Sequence, residues 1–304
     1  MHSWEAIQKT LNHIEEHIDE NILIEELADI AALSLFYYQR LFTRLVKRPI
    51  REYIKLRRLA RACGALRDKE NRIIDVAMNY GFGSHETFTR AFKETYGITP
   101  AQYRDEPVAL HNFDKPDLLL NYVMVDEGVP LINDGLVLEM SRKVVEVPID
   151  FIGAVGHMPF KMGKMLGERP GIDTADTIWN EFHKIIKDIP CLTNGRRIGV
   201  CYHGDAPEGY TTYFAGAEVE QGERLTQFAS WQLPSREYVV CGFEAESFEQ
   251  MGVAVGKAMR YTRLWLKNHG LIADGFFPEV YEQGSHDVPY MELWIPFKER
   301  ENKN

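Results

Sequence analysis

Along the first hundred residues apolar side chains recur at steps of three and four, and beyond residue 140 they alternate, so the chain divides by period. Trp4, Ile7, Leu11, Ile14 and Ile18 form one stripe and predict a first helix. The stretch IEELADIAALSLFYYQRLFTRLV predicts a short helix, a turn and a longer helix capped by Ser34. PIREYIKLRRLARACGALRD opens with Pro49 at a first helical position and runs on to Gly64 or beyond. RIIDVAMNYGFGSHETFTRAFKETYG repeats the earlier layout, with Ser84 as cap and Gly97 as stop, and ITPAQYR adds a last short turn of helix.

The repetition is in register. Leu27, Ala28 and Leu33 match Val76, Ala77 and Phe82 at an offset of 49; Ser34, Tyr38, Arg40, Phe42 and Tyr53 match Ser84, Phe88, Arg90, Phe92 and Tyr103 at 50. A small Ala in the first helix and an apolar residue after the turn let two short helices cross closely, as in a helix-turn-helix. The connecting helix of roughly 18 residues spans roughly 27 Å, enough to hold two recognition helices in major grooves roughly 34 Å apart.

Residues 107–140 carry Pro107, Pro116, Pro130 and Gly135 with no helical period and read as a connector, with a strand or hairpin expected around Leu118–Val125. From 141 the pattern is strand (VVEVPIDFIGAVGH), helix (TADTIWNEFHKII) and a hairpin of RIGVCYH and GYTTYFAGAEV. It returns as REYVVCGFEA, a helix from Phe248 to His269, and a hairpin of GFFPEVYEQ and VPYMELWIPF across GSHD. Two βαββ units can join edge to edge in one antiparallel sheet, with helices on one face and a concave surface on the other. The expected fold is therefore multidomain: an all-α tandem helix-turn-helix domain at 1–106, the connector at 107–140, and an α+β domain of duplicated βαββ units with an antiparallel sheet at 141–304.

At 304 residues and 45% hydrophobic content the chain has material for two packed cores. No apolar run approaches the roughly 20 residues of a membrane span, and the N-terminus lacks a signal-peptide layout. Four scattered cysteines without a CxxC pair suit reduced thiols, and the expected location is the cytoplasm. The net charge of −10 argues against nucleic acid until it is resolved along the chain. Residues 40–72 carry twelve Lys and Arg against three acids, a block of +9. Such a block is a candidate phosphate-binding surface, although a solvated helix face laced with ion pairs has the same composition.

The motif DVAMNYGFGSHETFTRAFKETYGITPAQYR, with its partial copy upstream, resembles the DNA-binding domain of AraC/XylS-type transcription regulators. The upstream copy departs at KRPIREY, where Lys47 replaces the family's glycine. The resemblance implies double-stranded DNA as partner, RNA polymerase as a further one, and activation as the commoner mode. It places base-reading candidates at Phe36, Tyr37, Gln39 and Arg40, and at His85, Glu86, Thr87 and Arg90. Arginine suits guanine, glutamine adenine, glutamate cytosine, and aromatic or Thr methyl groups the thymine methyl. Arg44, Lys47, Arg48, Arg57 and Arg58 are phosphate-contact candidates. An internal ion-pair role for Arg40 or Arg90 is the lesser alternative to base reading. His13 and His17, at i and i+4, have the spacing of a metal pair but no nearby third ligand, so neither metal nor cofactor is expected.

Residues 141–304 resemble the GyrI-like effector-binding domain through PEVY (278–281) and MELWIP (291–296). That resemblance implies a small-molecule effector, cationic or lipophilic, meeting a strand glutamate in an aromatic pocket. Glu292 with Trp294, Glu279 with Tyr281, Tyr202 and Tyr213 from the first hairpin, and Trp179 are the candidates. A carboxylate beside π faces suits a lipophilic cation. The tryptophans also fit core positions, Glu279 a rim, and Glu292 a wet sheet face. A hydrolase-like or toxin-sequestering module, with Tyr281 and Glu292 as the reactive pair, is the alternative. A protein-contacting role with a vestigial pocket is a third reading, but no nucleophile–base–orienter set favours an enzyme.

Overall fold

The computed structural model describes residues 2–133, 135–159, 171–222, 225–247, 250–282 and 289–300. They form two compact units, one running to Tyr122 and including Gly171–Asp173, the other beginning at Val123. Among the described residues no helix is long and apolar enough to cross a membrane.

The first unit is helical. Helix α1 (Ser3–Glu16) buries Ala6, Ile7, Leu11 and Ile14, and Ile18 is buried just beyond its end. Helices α2 (Ile24–Ile30) and α3 (Leu35–Val46) form the first helix-turn-helix, and α5 (Ile73–Asn79) and α6 (His85–Tyr96) the second. Helix α4 (Ile50–Arg67) connects them and α7 (Pro100–Asp105) follows, its Thr99 and Gln102 forming a capping box. Pro49 is the N-cap of α4 rather than its first turn. The two motifs build separate cores, and α4 belongs to both: Ile50, Tyr53, Ile54 and Leu56 enter the first, Leu59, Ala62, Cys63 and Leu66 the second.

Residues 107–122 are part of this unit. Phe113 and Leu118 enter the first core, and Leu119–Tyr122 is a short helix, α8, where the sequence suggested a strand or hairpin. Leu118 and Leu120 are buried, a spacing of two that suits a strand, and the four-residue helix is too short to display a helical period of its own. Strand β1 (Leu110–His111) pairs with β5 (Gly171–Ile172), and His111 Nε2 lies 3.3 Å from Asp173.

Among the described residues the second unit is a ten-stranded antiparallel sheet with two α-helices. Its strands are β2 (Leu131–Asn133), β3 (Leu136–Val145), β4 (Ile149–Pro159), β6 (Leu192–Tyr202), β7 (Tyr210–Val219), β8 (Ala229–Leu233), β9 (Arg236–Ala245), β10 (Leu271–Ala273), β11 (Phe276–Tyr281) and β12 (Tyr290–Glu299). The order is β2-β3-β9-β12-β11-β6-β7-β4-β8, with β10 on β12. The units β4-α9-β6-β7 and β9-α10-β11-β12 meet at the β6–β11 pair, α9 being Thr174–Ile185 and α10 Met251–Asn268. The expected first strand of this unit is two, β3 and β4, divided at Glu146–Pro148, and β3 begins within the stretch read as connector. The expected GSHD turn lies outside the described residues.

The sheet curls on itself. Four strand steps separate β8 from β11, roughly 19 Å if flat, yet the rings of Trp231 and Phe276 are 5.6 Å apart. The concave side is filled by Phe151, Phe214, Tyr238, Val240, Val280 and Trp294. The opposite side carries both helices: α9 through Ile178 and Phe182 on Ala215 and Ala217, α10 through Thr262 on Cys241.

Candidate functional site: two reading heads and two carboxylates

The two helix-turn-helix motifs have the same backbone. Ala31, Ala32 and Leu33 donate to the carbonyls of Leu27, Asp29 and Ala28; Tyr80, Gly81 and Phe82 donate to Val76, Met78 and Ala77, all at the offset of 49. Ala32 (φ 55°) and Gly81 (φ 71°) take the left-handed turn. Ser34 and Ser84 cap the recognition helices by accepting from the N–H groups of Tyr37 and Thr87. At the far ends Lys47 (φ 61°) takes the conformation Gly97 takes (φ 83°), so replacing the family glycine does not redirect the chain.

On α3 Tyr38 and Phe42 are buried, while Phe36, Tyr37, Gln39 and Arg40 face solvent. Phe36, 70% exposed, is a large apolar group whose ring the Arg40 guanidinium approaches at 5.6 Å from the centroid. On α6 Phe88 and Phe92 are buried, Glu86, Thr87 and Arg90 are exposed and His85 is half-buried. Arg44 and Lys47 are also exposed.

Arg57 and Arg58 are corrections. Arg57 lies half-buried against α1, giving two hydrogen bonds to Glu15 (2.7 and 2.8 Å) and one to the Phe113 carbonyl. Tyr53 also donates to Glu15. Burial pushes the Glu15 carboxyl up, but Arg57 and Tyr53 outweigh it and hold it below its ordinary value. Arg58 donates to the carbonyls of Ile18 and Glu20. Arg48 pairs with Glu52 and stacks on Phe113. Much of the +9 block therefore ties helices together, because long stems on a central helix reach neighbouring acids that a linear charge count does not place. His13 and His17 stack at 4.1 Å, with His17 bonded to the His13 carbonyl.

In the second unit register separates the predicted pocket residues. Directly opposed residues of an antiparallel pair share a face. Val280 opposes Glu292, and Phe276 opposes Tyr202, so Glu292, Trp294 and Tyr202 lie on the concave side. Glu279 opposes Leu293 and Gly199, while Cys201 opposes both Phe277 and Tyr213, so Glu279, Tyr281 and Tyr213 lie on the helix side. The seven candidates divide between the two sides of the sheet, and the pair Tyr281–Glu292 is not assembled.

On the helix side Trp179 Nε1 donates to the Tyr213 hydroxyl (3.0 Å), which donates to Glu279 Oε2 (2.8 Å). The Tyr281 hydroxyl stands 3.5 Å from the same oxygen, and its ring meets Trp179 edge-on at 5.3 Å. Gly199 makes this possible: a Cβ there would lie 2.2 Å from the Tyr213 hydroxyl oxygen and 3.1 Å from Glu279 Oε2. Burial, then Glu279, pushes the Tyr213 phenol well up, so it stays a donor. Arg263 of α10 covers the Phe277 ring at 5.3 Å. Glu279, Tyr281 and Trp179 are half-buried, an aromatic-walled carboxylate that solvent reaches.

On the concave side Glu292 is buried, 5% exposed, and its charge is already met. Lys143 Nζ donates to both carboxylate oxygens at 2.8 Å, Tyr290 to Oε1 and Trp294 to Oε2 at 2.7 Å each. Burial pushes this carboxyl up, yet these hydrogen bonds together hold it below its ordinary value. The wet face is excluded by this burial, and the open cationic pocket expected at Glu292 is filled from within. Lys143, Gly199 and Tyr290 escaped sequence reasoning. Lys143 is 149 residues from Glu292 and no periodicity reports which strands pair; Tyr290, at i−2 from Glu292, was legible by strand parity.

Residues 27–106 match the family model described as a helix-turn-helix domain, and residues 172–297 the one described as an integron-associated effector binding protein. Over 104 residues, 34% of the chain, the sequence is 43% identical to YbfP, an HTH-type transcriptional regulator of Bacillus subtilis, and spans about a third (35%) of that relative's length. It is 38% identical over 100 residues to the regulatory protein SoxS of Salmonella typhimurium, covering 33% of this chain and 94% of SoxS. The integron cassette protein VCH_CASS2 of Vibrio cholerae aligns in structure with a TM-score of 0.39 at 13% identity, over 54% of this chain and all of that one.

Proposed function

The chain belongs to the AraC-type helix-turn-helix family, and from that premise we propose that it is an effector-responsive transcription regulator that binds duplex DNA through both heads. The observation that carries this reading is the pair of matching turn-and-cap hydrogen-bond patterns, each leading into a helix whose apolar face is buried and whose opposite face is open. Phe36, Tyr37, Gln39 and Arg40 read one major groove, and His85, Glu86, Thr87 and Arg90 the other. Arg44 and Lys47 contact phosphates. The mode is activation with RNA polymerase as a further partner, and the location is the cytoplasm. No enzymatic role is assigned.

The effector seat is the Glu279–Tyr213–Tyr281–Trp179 cluster, and its ligand is a lipophilic cation. Support comes from a half-buried carboxylate oriented by a buried relay and walled by two aromatic rings. Electrophoretic mobility shift with genomic fragments at low salt tests the DNA half; absence of any shifted fragment overturns it. A fluorescent lipophilic cation tests the effector half, with saturable binding expected for the wild type and weakened at least tenfold in Glu279→Gln. Equal binding by both proteins refutes the seat and leaves DNA recognition standing.

A further inference from the structure

We infer that Arg58 is a positioning residue: it braces the two heads against each other and so sets how strictly half-site spacing is read. The inference rests on the two-headed DNA reading and is independent of the effector half. Arg58 stands on α4 between Leu56, which enters the first core, and Leu59, which enters the second. Its Nε donates to the Ile18 carbonyl at 2.9 Å and its Nη2 to the Glu20 carbonyl at 2.6 Å. Both carbonyls lie in the segment that joins α1 to α2, in the first head. Asp19, between them, adds an opposite charge. The same guanidinium lies on the turn of the second head: a Cβ on Gly81 would stand 2.5 Å from Nη1 and 2.8 Å from the guanidinium carbon. One side chain thus touches both heads, whose cores are separate.

The two turns record this contact in their residue types. Ala32 and Gly81 hold the same turn position at the offset of 49, and both are left-handed. Ala32 shows that such a turn accepts a Cβ, so the backbone angle alone does not require glycine at 81. The guanidinium does. Its planar fork holds two acceptors in fixed relation while its remaining nitrogen meets a third segment, whereas lysine would offer a point charge on a flexible stem. Helix α4 sets the distance between the heads along its axis, and each head packs on it through its own core. Arg58 joins the heads off that axis and stops one rocking about α4 relative to the other. One base pair displaces a half-site by about 3.4 Å and turns it by about 35°. Braced heads penalise such an error, and rocking heads absorb it.

The brace is tested first without DNA. Spin labels on non-natural residues at Thr43 of α3 and Lys93 of α6, equivalent exposed positions, report the distance between the heads of the full chain by double electron–electron resonance. The wild type is expected to give one narrow distribution, and Arg58→Ala and Arg58→Lys one about twofold broader. Gly81→Ala is expected to broaden it equally, since its Cβ expels a guanidinium that is still present, and to add nothing in the Arg58→Ala background. Unchanged widths in Arg58→Ala and Gly81→Ala overturn the brace. Loss of helical circular dichroism in both overturns it too, by assigning Arg58 to folding rather than positioning. If only Arg58→Ala fails to fold, the Gly81→Ala width decides. The second arm uses a genomic duplex that the wild type shifts, with one base pair inserted between its footprinted half-sites. The wild type is expected to lose about tenfold in affinity and Arg58→Ala less than about threefold. An equal loss in both proteins overturns the spacing role. Absence of any shifted duplex refutes the DNA reading instead, and the distance measurement then decides the brace on its own.

Discussion

Across the β11–β12 ladder Glu292 stands opposite Val280, which sends Glu279 to the other side of the sheet. Two carboxylates that the sequence presents as one acidic site therefore face different surroundings, and their variants are expected to differ in kind. Glu279→Gln weakens binding of a cationic effector and changes stability by less than about 1 kcal/mol, since that site is open to solvent. Glu292→Gln leaves effector binding in place and destabilises the domain by about 1–3 kcal/mol, because Lys143 loses its partner but can still reach water. Urea unfolding beside a fluorescence titration separates the two.

The Glu292 network also carries a pH signature. Its folded carboxyl lies below the ordinary value of 4.5, so the stability it contributes is complete above that value and is lost as pH falls through the folded pKa. The difference in unfolding free energy between wild type and Glu292→Gln is expected to be flat from neutral pH to about 5 and to shrink on further acidification. A constant difference down to pH 3 would contradict the assignment of the charged state.

Arg57 and Arg44 belong to the same basic block and do opposite things. Removing the Arg57 guanidinium leaves the part-buried Glu15 carboxylate to Tyr53 and the longer Arg61 contact, so Arg57→Ala is expected to destabilise the helical unit by about 2 kcal/mol. Arg44→Ala is expected to leave the unfolding midpoint unchanged and to reduce the salt slope of DNA binding by about one. Denaturation together with mobility shifts over a salt series distinguishes them.

Gly199 is the position at which one methyl group tests the effector relay. Gly199→Ala is expected to drive the Tyr213 hydroxyl off Glu279, costing about 1–3 kcal/mol and weakening effector binding about tenfold. Tyr213→Phe in the same background restores part of the stability and none of the binding. Equal affinity in Gly199→Ala and the wild type would remove Tyr213 from the site.

Lys47 holds a left-handed conformation that Gly97 holds without a side chain. Lys47→Gly is expected to stabilise the domain by about 0.5–1 kcal/mol while removing one phosphate contact, so stability and DNA affinity move in opposite directions.

The helical half was legible because its information is local. Ser34, Ser84, Gly97 and the buried Ala28 and Ala77 each declare their role within one turn of helix. Parity along β12 likewise put Glu292 and Trp294 together, and the structure joins them by a hydrogen bond. What could not be read was which strand lies beside which. The grouping of Glu279 with Glu292 failed on one register, and Lys143 went unnoticed because its partner is two strands away in the sheet and 149 residues away in the sequence. Arg57 was misread for a related reason: charge along a helix says nothing about which neighbour it meets.

Helix α4 lies in two cores at once, with Tyr53 in one and Leu59 in the other. It therefore works as a ruler, fixing the phase of the two heads by covalent rise and twist. One residue inserted between Leu56 and Leu59 would advance the second head by about 1.5 Å and turn it by about 100°. Spacing cannot be tuned by flexing a linker, so under the proposed function a DNA partner would have to bend or to offer its two half-sites at the pitch this helix sets.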